Sequence, residues 1–133
     1  MLPQQSRMRR AEDFRRVLRT GRRAGGSVLT AHLLLPVGPD GTVGTPGEVP
    51  SGDPAKVGFV VSRAVGSAVV RNRVKRRLRE LMRRRLASLP GGCLLVVRAH
   101  TAAAGVRQED LAADLDLVIG RLLRRQVGAL RQE

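Results

Sequence analysis

Between Val70 and Arg85 the chain reads VRNRVKRRLRELMRRR, and Glu80 is the only acid in it. Guanidinium groups bind phosphate through two parallel hydrogen bonds and also stack on bases. Wound as a helix, the stretch separates into faces. Val70, Val74, Leu78, Leu81 and Met82 fall on one apolar stripe. Asn72, Arg76, Arg79 and Arg83 lie opposite, with Arg73, Arg77 and Arg84 along one flank and Lys75 on the other. Like charges packed on one face repel each other until a polyanion neutralises them, and the commonest such polyanion is nucleic acid.

Other chemistry is thinly represented. Unaided cleavage of RNA needs a metal site or an acid–base pair. His32 and His100 stand on different strands or strand ends, with no carboxylate beside them in sequence. Asp110 and Asp114 share a helix face, where compensation of the helix dipole accounts for both. There is no nucleophile motif, no metal-ligand spacing and no Gly-rich phosphate loop. Cys93 is the single cysteine, which rules out an internal disulfide, and its apolar setting CLLVV marks it as a small buried hydrophobe.

Composition agrees with a polyanion partner. The 133 residues carry 25 Lys and Arg against 11 Asp and Glu, a formal charge of +14. Apolar residues make up 42%, enough for one folded domain spanning 1–133. A ribosomal or other RNA-bound protein is the class this charge favours, since ordinary surfaces mix both signs. Lys56 and Lys75 are the only lysines. That bias suits phosphate forks, and a GC-rich genome would produce it equally. No apolar run approaches the roughly 20 residues that cross a bilayer, and no secretory segment follows Met1, so a cytoplasmic protein without a membrane partner is expected.

The elements that must position these groups follow from pattern. Met1 to Arg10 is polar and basic, and is read as loose. Ala11 to Thr20 predicts a short helix, with Phe14, Val17 and Leu18 at helical spacing, Glu12 and Asp13 in its first turn, and Gly21 as its stop. Arg22, Arg23, Gly25 and Gly26 read as a basic, flexible link. Val28 to Leu35 predicts a strand, with Leu29, Ala31, Leu33 and Leu35 on one face and Val28, Thr30, His32 and Leu34 on the other. Gly38 to Pro54 is Gly- and Pro-rich and reads as a flexible excursion. Lys56 to Ser62 is the second expected strand, and Ser67 is the N-cap of the basic helix, which is expected to run to about Ser88. Cys93 to Ala99, apolar throughout, is expected to be a central strand. A small-residue loop, Thr101 to Gly105, leads to a last helix from Gln108 to about Val127, buried through Leu111, Leu115, Val118, Ile119 and Leu122. The expected order is α-β-β-α-β-α in an α+β layer fold.

The segment Val57 to Glu80, VGFVVSRAVGSAVVRNRVKRRLRE, resembles the protein component of bacterial ribonuclease P. The family's marks are a strand ending in Ser62, a basic turn at Arg63, Gly66 two residues before Ala68-Val69, and Arg71-Asn72-Arg73 opening a helix with Lys75, Arg76 and Arg79. Arg10-Ala11-Glu12-Asp13-Phe14 is similar to the family's first helix. The likeness runs from about Arg7 to Arg125, and Gly38–Pro54 is its main unmatched piece.

The resemblance implies an α/β sandwich like the second domain of ribosomal protein S5, including a left-handed β-α-β crossover against the usual hand. It implies two RNA partners, the ribonuclease P catalytic RNA and precursor tRNA. The holoenzyme would remove the 5′ leader endonucleolytically, using Mg2+ held mainly by the RNA, while this chain raises affinity for the precursor and helps the RNA fold. Arg63, Ser67, Arg71, Asn72, Arg73, Lys75, Arg76 and Arg79 would meet the catalytic RNA. Arg10, Phe14, Arg15, Leu18 and His32 would line a cleft for the single-stranded leader. Phe14 also reads as packing against Val17 and Leu18, His32 as an ordinary polar strand residue, and Asn72 as a local cap. The chain departs from the family pattern in having no Tyr or Trp, in Leu18 where relatives carry a second aromatic, and in Arg63-Ala64 where they carry paired cations. The rival reading is a general basic RNA-binding or ribosomal protein with no catalytic association.

Overall fold

The computed structural model describes residues 6–8, 10–35 and 55–131, with side chains through Arg124. The expected Gly38–Pro54 excursion lies outside the described residues. The elements are α1 (Ala11–Thr20), β1 (Arg22–Gly25), β2 (Leu29–Leu34), β3 (Lys56–Val61), α2 (Ala68–Arg83), β4 (Leu94–Ala99) and α3 (Gln108–Arg131). The α+β class is as expected, and the sheet has one strand more than expected.

The sheet runs β1-β2-β4-β3. β1 and β2 form an antiparallel hairpin, β2 and β4 are antiparallel, and β3 and β4 are parallel neighbours joined through α2. β4 is central, as its unbroken apolar run predicts. Leu95, Val96 and Val97 are all fully buried, although they alternate between the two faces.

That alternation builds two cores. On one face Leu29, Ala31, Leu33, Val57, Val61, Leu95 and Val97 pack with Val74, Leu78 and Met82 of α2 and with Leu111, Leu115, Val118 and Leu122 of α3. On the other face a smaller cluster of Met8, Val17 and Val96 is flanked by Phe14, Leu34, Val60 and Leu94. α1 therefore lies alone on its face, packed across β2 and β4. It carries Val17 inward and ends where the Gly21 N–H donates to the Val17 carbonyl at 2.8 Å.

Four expectations change in the structure. Arg22–Gly25 is strand β1, not a link, because pairing with β2 supplies its hydrogen bonds and Ala24 is buried in the larger core. The start of the chain is anchored in part: Arg7 bridges Val57, the Met8 N–H donates to the Val57 carbonyl at 3.0 Å, and Ser6 and Met8 are buried. This covers the otherwise open edge of β3. α2 ends at Arg83, because the Arg85 side chain turns back to the Leu81 carbonyl at 2.6 Å and the Arg85 N–H takes the tighter bond to the Met82 carbonyl. A single 3-10 turn, Leu86–Ser88, follows. Thr101–Gly105 is likewise a 3-10 turn, and α3 continues to Arg131. Before β4, Gly92 takes a φ of 76°, which side-chained residues rarely adopt, so the Pro90–Cys93 turn needs a glycine there.

Asp114 is the largest revision. It is 6% exposed, and its carboxylate accepts the Ser27 N–H at 2.7 Å, the Val28 N–H at 2.9 Å and the Leu29 N–H at 2.8 Å. These are the backbone donors of the β1–β2 turn. Asp114 ties that hairpin to α3, a role different from compensating the helix dipole.

Candidate RNA interface

α2 forms because Val74, Leu78 and Met82 repeat at i, i+4, i+8 and are wholly buried, while the Ser67 hydroxyl accepts the Val70 N–H at 3.4 Å as an N-cap. Its first turn holds no acid. The positive end of the helix dipole thus meets Arg71 and Arg73 with no carboxylate to offset it, a setting that favours an anion.

The cations of α2 divide by position. On the flank facing α3, Arg77 donates to the Gln108 side-chain oxygen and to the Val106 carbonyl, each at 2.7 Å. Arg85, just past the helix end, grips Asp116 with both arms of its fork, at 2.5 and 3.0 Å. These two hold α2 to α3. The outward face is different. Asn72, Arg73, Arg76 and Arg79 line one groove of about 670 Å³ together with Arg7, Val69 and Glu80. Four guanidinium groups there face one carboxylate. Val69 is 70% exposed among them, so the groove offers an apolar contact as well as charge.

Arg71 is half-buried, and its Nε is the one buried side-chain nitrogen or oxygen without a hydrogen-bond partner among the described residues. A buried donor left unmet costs roughly 1–3 kcal/mol, which an incoming acceptor relieves. Asn72 is exposed in the body of the helix, so the cap is Ser67 and not Asn72. Arg63 is exposed in the 3-10 turn Arg63–Val65 that precedes α2.

On the opposite flank of α2, Lys75 and Arg79 line a second pocket of about 290 Å³ with Arg7, Met8, Phe14, Val57, Gly58 and Phe59. This pocket links α2 to α1. Phe14 lies over Gly58 so closely that a methyl group at that position would overlap its ring. Phe14 thus joins the smaller core and stays half-buried, so both readings of it hold in part. Arg10 caps α1 without a side-chain bond, and Arg10 and Arg15 are exposed. Leu18 is 42% exposed on α1.

Beyond α1 the sheet face carries His32, half-buried, directly across from Arg23 of β1. One position along, Thr30 pairs with Arg98 of β4. Burial first, and then the charges of Arg23 and Arg98, hold the His32 imidazole below its ordinary value of 6.5. The Thr30 hydroxyl and His100 Nε2 lie 2.6 Å apart. Sequence reasoning missed Arg7, Arg23 and Arg98. The first two lie in stretches that looked unstructured, and Arg98 sits in the strand read only as core.

Among the described residues no three His, Cys, Asp or Glu side chains come together as a metal site, and no helix is long and apolar enough to cross a membrane. The donor set of this surface is guanidinium, amide and amine, which suits anions and not cations.

Comparison with known proteins gives the family. The profile of the family described as Ribonuclease P matches residues 2–123. The ribonuclease P protein component of Streptomyces avermitilis is 52% identical over 125 residues, covering 92% of this chain and 96% of that one. The chain belongs to the ribonuclease P protein family. The corresponding protein of Thermobifida fusca is 51% identical over 125 residues, covering 93% of this chain and 80% of that one. In fold, the Staphylococcus aureus RNase P protein superposes with a TM-score of 0.68 at 19% identity, covering 89% of this chain and 97% of that one. The Thermotoga maritima RNase P protein gives 0.65 at 23%, covering 89% and 96%. Membership gives the chain its role as the protein subunit of ribonuclease P in maturing the 5′ end of tRNA.

Proposed function

We propose that the outward face of α2 binds the catalytic RNA of ribonuclease P, and that the sheet face beside α1 holds the 5′ leader of precursor tRNA. The chemistry then belongs to the RNA, with Mg2+ held mainly by it, and no step runs through a metal on this chain. Arg71, Asn72, Arg73, Arg76 and Arg79 act as hydrogen-bonding and electrostatic contacts, with Lys75 and Arg63 at the margins and Ser67 fixing the helix start. Phe14 offers a stacking platform for an unpaired base, worth on the order of 1–3 kcal/mol, and Arg10, Arg15, Leu18 and His32 surround it. The cytoplasm is the compartment where such a partner is met.

The observation that carries this reading is the split of α2. Arg77 and Arg85 are occupied by the fold, while the outward cations share a groove with a single acid. Such a face attracts a phosphate backbone from a distance and gains by releasing its counterions.

Reconstitution tests it. The full chain is added to a matching ribonuclease P RNA at low magnesium, and leader removal is followed. Rescue of cleavage, with no cleavage by the chain alone, is expected. Indifference of the RNA to the chain refutes the proposal. Recovery of ribosomal RNA alone with the tagged chain would instead favour the rival reading of a general RNA-binding protein.

A further inference from the structure

The sheet pairing assembles a group that no single segment contains. Arg23 on β1 is the register partner of His32 on β2, and His32 is the partner of Val96 on β4, which in turn pairs with Gly58 on β3. One transverse rung therefore runs Arg23–His32–Val96–Gly58, with the Phe14 ring resting on its far end. Strands lie about 4.8 Å apart, so Phe14 stands roughly 10 Å from His32. Arg98 enters diagonally from the next rung, where it pairs with Thr30. Arg23 and Arg98 are exposed, and among the described residues no carboxylate pairs with Arg98.

Two guanidinium groups flanking an imidazole across neighbouring strands repel one another, and like charges so placed weaken a sheet. An anion seated between them removes that cost. A stacking ring on the same rung points to a nucleotide as the source of the anion. A helix lying across the face leaves a trough suited to one strand and not to a duplex. We propose that Arg23, His32 and Arg98 grip one phosphodiester of the single-stranded leader, and that the grip takes up a proton from solvent at His32. This rests on the reading of the sheet face as the leader site.

The proton follows from the charges around His32. Arg23 faces it from β1 and Arg98 from β4, and both disfavour the imidazolium, as does burial. β3 presents Lys56, Gly58 and Val60 further along the same face, and α1 presents Phe14, Val17 and Leu18, with Arg15 and Arg19 one position to the side. His100, beyond the end of β4, is already engaged with Thr30. The free protein thus holds His32 neutral near pH 7. A bound phosphate cancels the pull of both arginines and accepts the new N–H, so the bound state favours the charged ring. Affinity for the leader must then rise as pH falls through the interval between the two states, and level off below it.

The test uses the holoenzyme, with calcium replacing magnesium to slow cleavage. Equilibrium affinities for precursor and mature tRNA are measured from pH 5.5 to 7.5, and their ratio isolates the leader. The wild-type ratio is expected to grow as pH falls, by up to about tenfold if binding raises the His32 titration by one unit. His32→Gln should flatten that profile. Arg98→Ala should lower the ratio and reduce its salt slope by about 0.7. In the RNA-free chain, nuclear magnetic resonance of the His32 ring should show its titration moving upward in Arg98→Ala, a shift that a merely structural arginine would not cause. A ratio above one that ignores pH and all three substitutions overturns the rung and leaves the leader site standing. A ratio of one throughout overturns the leader site itself.

Discussion

Replacing Asp114 by Ala removes the only acceptor for three backbone donors in the β1–β2 turn. The Val28 and Leu29 N–H groups are buried and lose their partner outright, at roughly 1–3 kcal/mol each. The Ser27 N–H is partly exposed, so water replaces most of its loss. The sum is about 3–5 kcal/mol, reduced a little because a charge no longer has to be kept dry. Domains of this size are stable by about 5–15 kcal/mol, so the variant should survive but unfold at distinctly lower urea. Asp114→Asn separates the two oxygens. Val28 and Leu29 share Oδ2 while Ser27 uses Oδ1, so an amide with its oxygen at the Oδ2 position keeps the two buried bonds. Its cost should be about 1–2 kcal/mol. Urea unfolding followed by circular dichroism measures both. An Ala variant within 1 kcal/mol of wild type, or an Asn variant as damaged as Ala, would refute the assignment. Loss of the tie should also loosen Arg23, since β1 is the strand it holds.

Arg76→Ala should leave stability within about 0.5 kcal/mol and lower the salt slope of catalytic-RNA binding by about 0.7–0.9, whereas Arg77→Ala should cost about 1–3 kcal/mol and leave the slope alone. Paired urea and filter-binding titrations read both quantities. Gly58→Ala pushes a methyl group into the Phe14 ring; unfolding should show a loss of about 1–3 kcal/mol, and precursor should lose its binding advantage over mature tRNA. Cys93 is fully buried with its thiol pushed up to about 12, so a thiol reagent at pH 8 should label it only at the rate of unfolding, and fast labelling of the native chain would contradict that burial. The hydrogen bond from Arg85, aided by its charge, holds the Asp116 carboxyl below its usual range. Its contribution is present above about pH 4 and lost as pH falls through the lowered value. Because the pair is largely exposed, Asp116→Asn should cost under about 1 kcal/mol at pH 7 and flatten acid unfolding below pH 4.

The elements with strong period were legible in the sequence. The i, i+4, i+8 stripe of α2, the alternation of β2 and the unbroken apolar run of β4 each state which side is buried, and the structure agrees. What escaped were features that only tertiary contact creates. Arg22–Gly25 has neither alternation nor branched residues; it is a strand because β2 offers it a partner. Met8 is a lone apolar residue in a basic stretch, and only the open β3 edge gives it a place. Asp114 looked like one acid among several at the start of a helix, and nothing local shows that a turn 85–87 residues earlier needs its oxygens. The outward side of α2 was readable because charge is a property of residue type. The Arg23–His32–Arg98 group was not, because it spans three strands, one of them unseen.

The distribution of acids explains how so basic a chain folds and still presents a positive face. Asp114 is spent on backbone donors, and Asp116 on Arg85. Both sit on α3, away from the outward side of α2. Arg121, also on α3, donates to the Gly25 carbonyl and holds β1 from the same helix. α3 thus serves as the internal counterweight: its carboxylates and its arginine secure the hairpin and the end of α2. None of these acids is then left to neutralise the groove at Arg73, Arg76 and Arg79, where Glu80 is the only carboxylate. Uniform mixing of signs would make a more stable free protein with a weaker field. Keeping the charges apart costs stability in isolation and recovers it when a polyanion binds. Ionic strength should therefore act on the two states in opposite directions. Added salt should stabilise the free chain by screening the repulsion along α2, while weakening its complex with RNA.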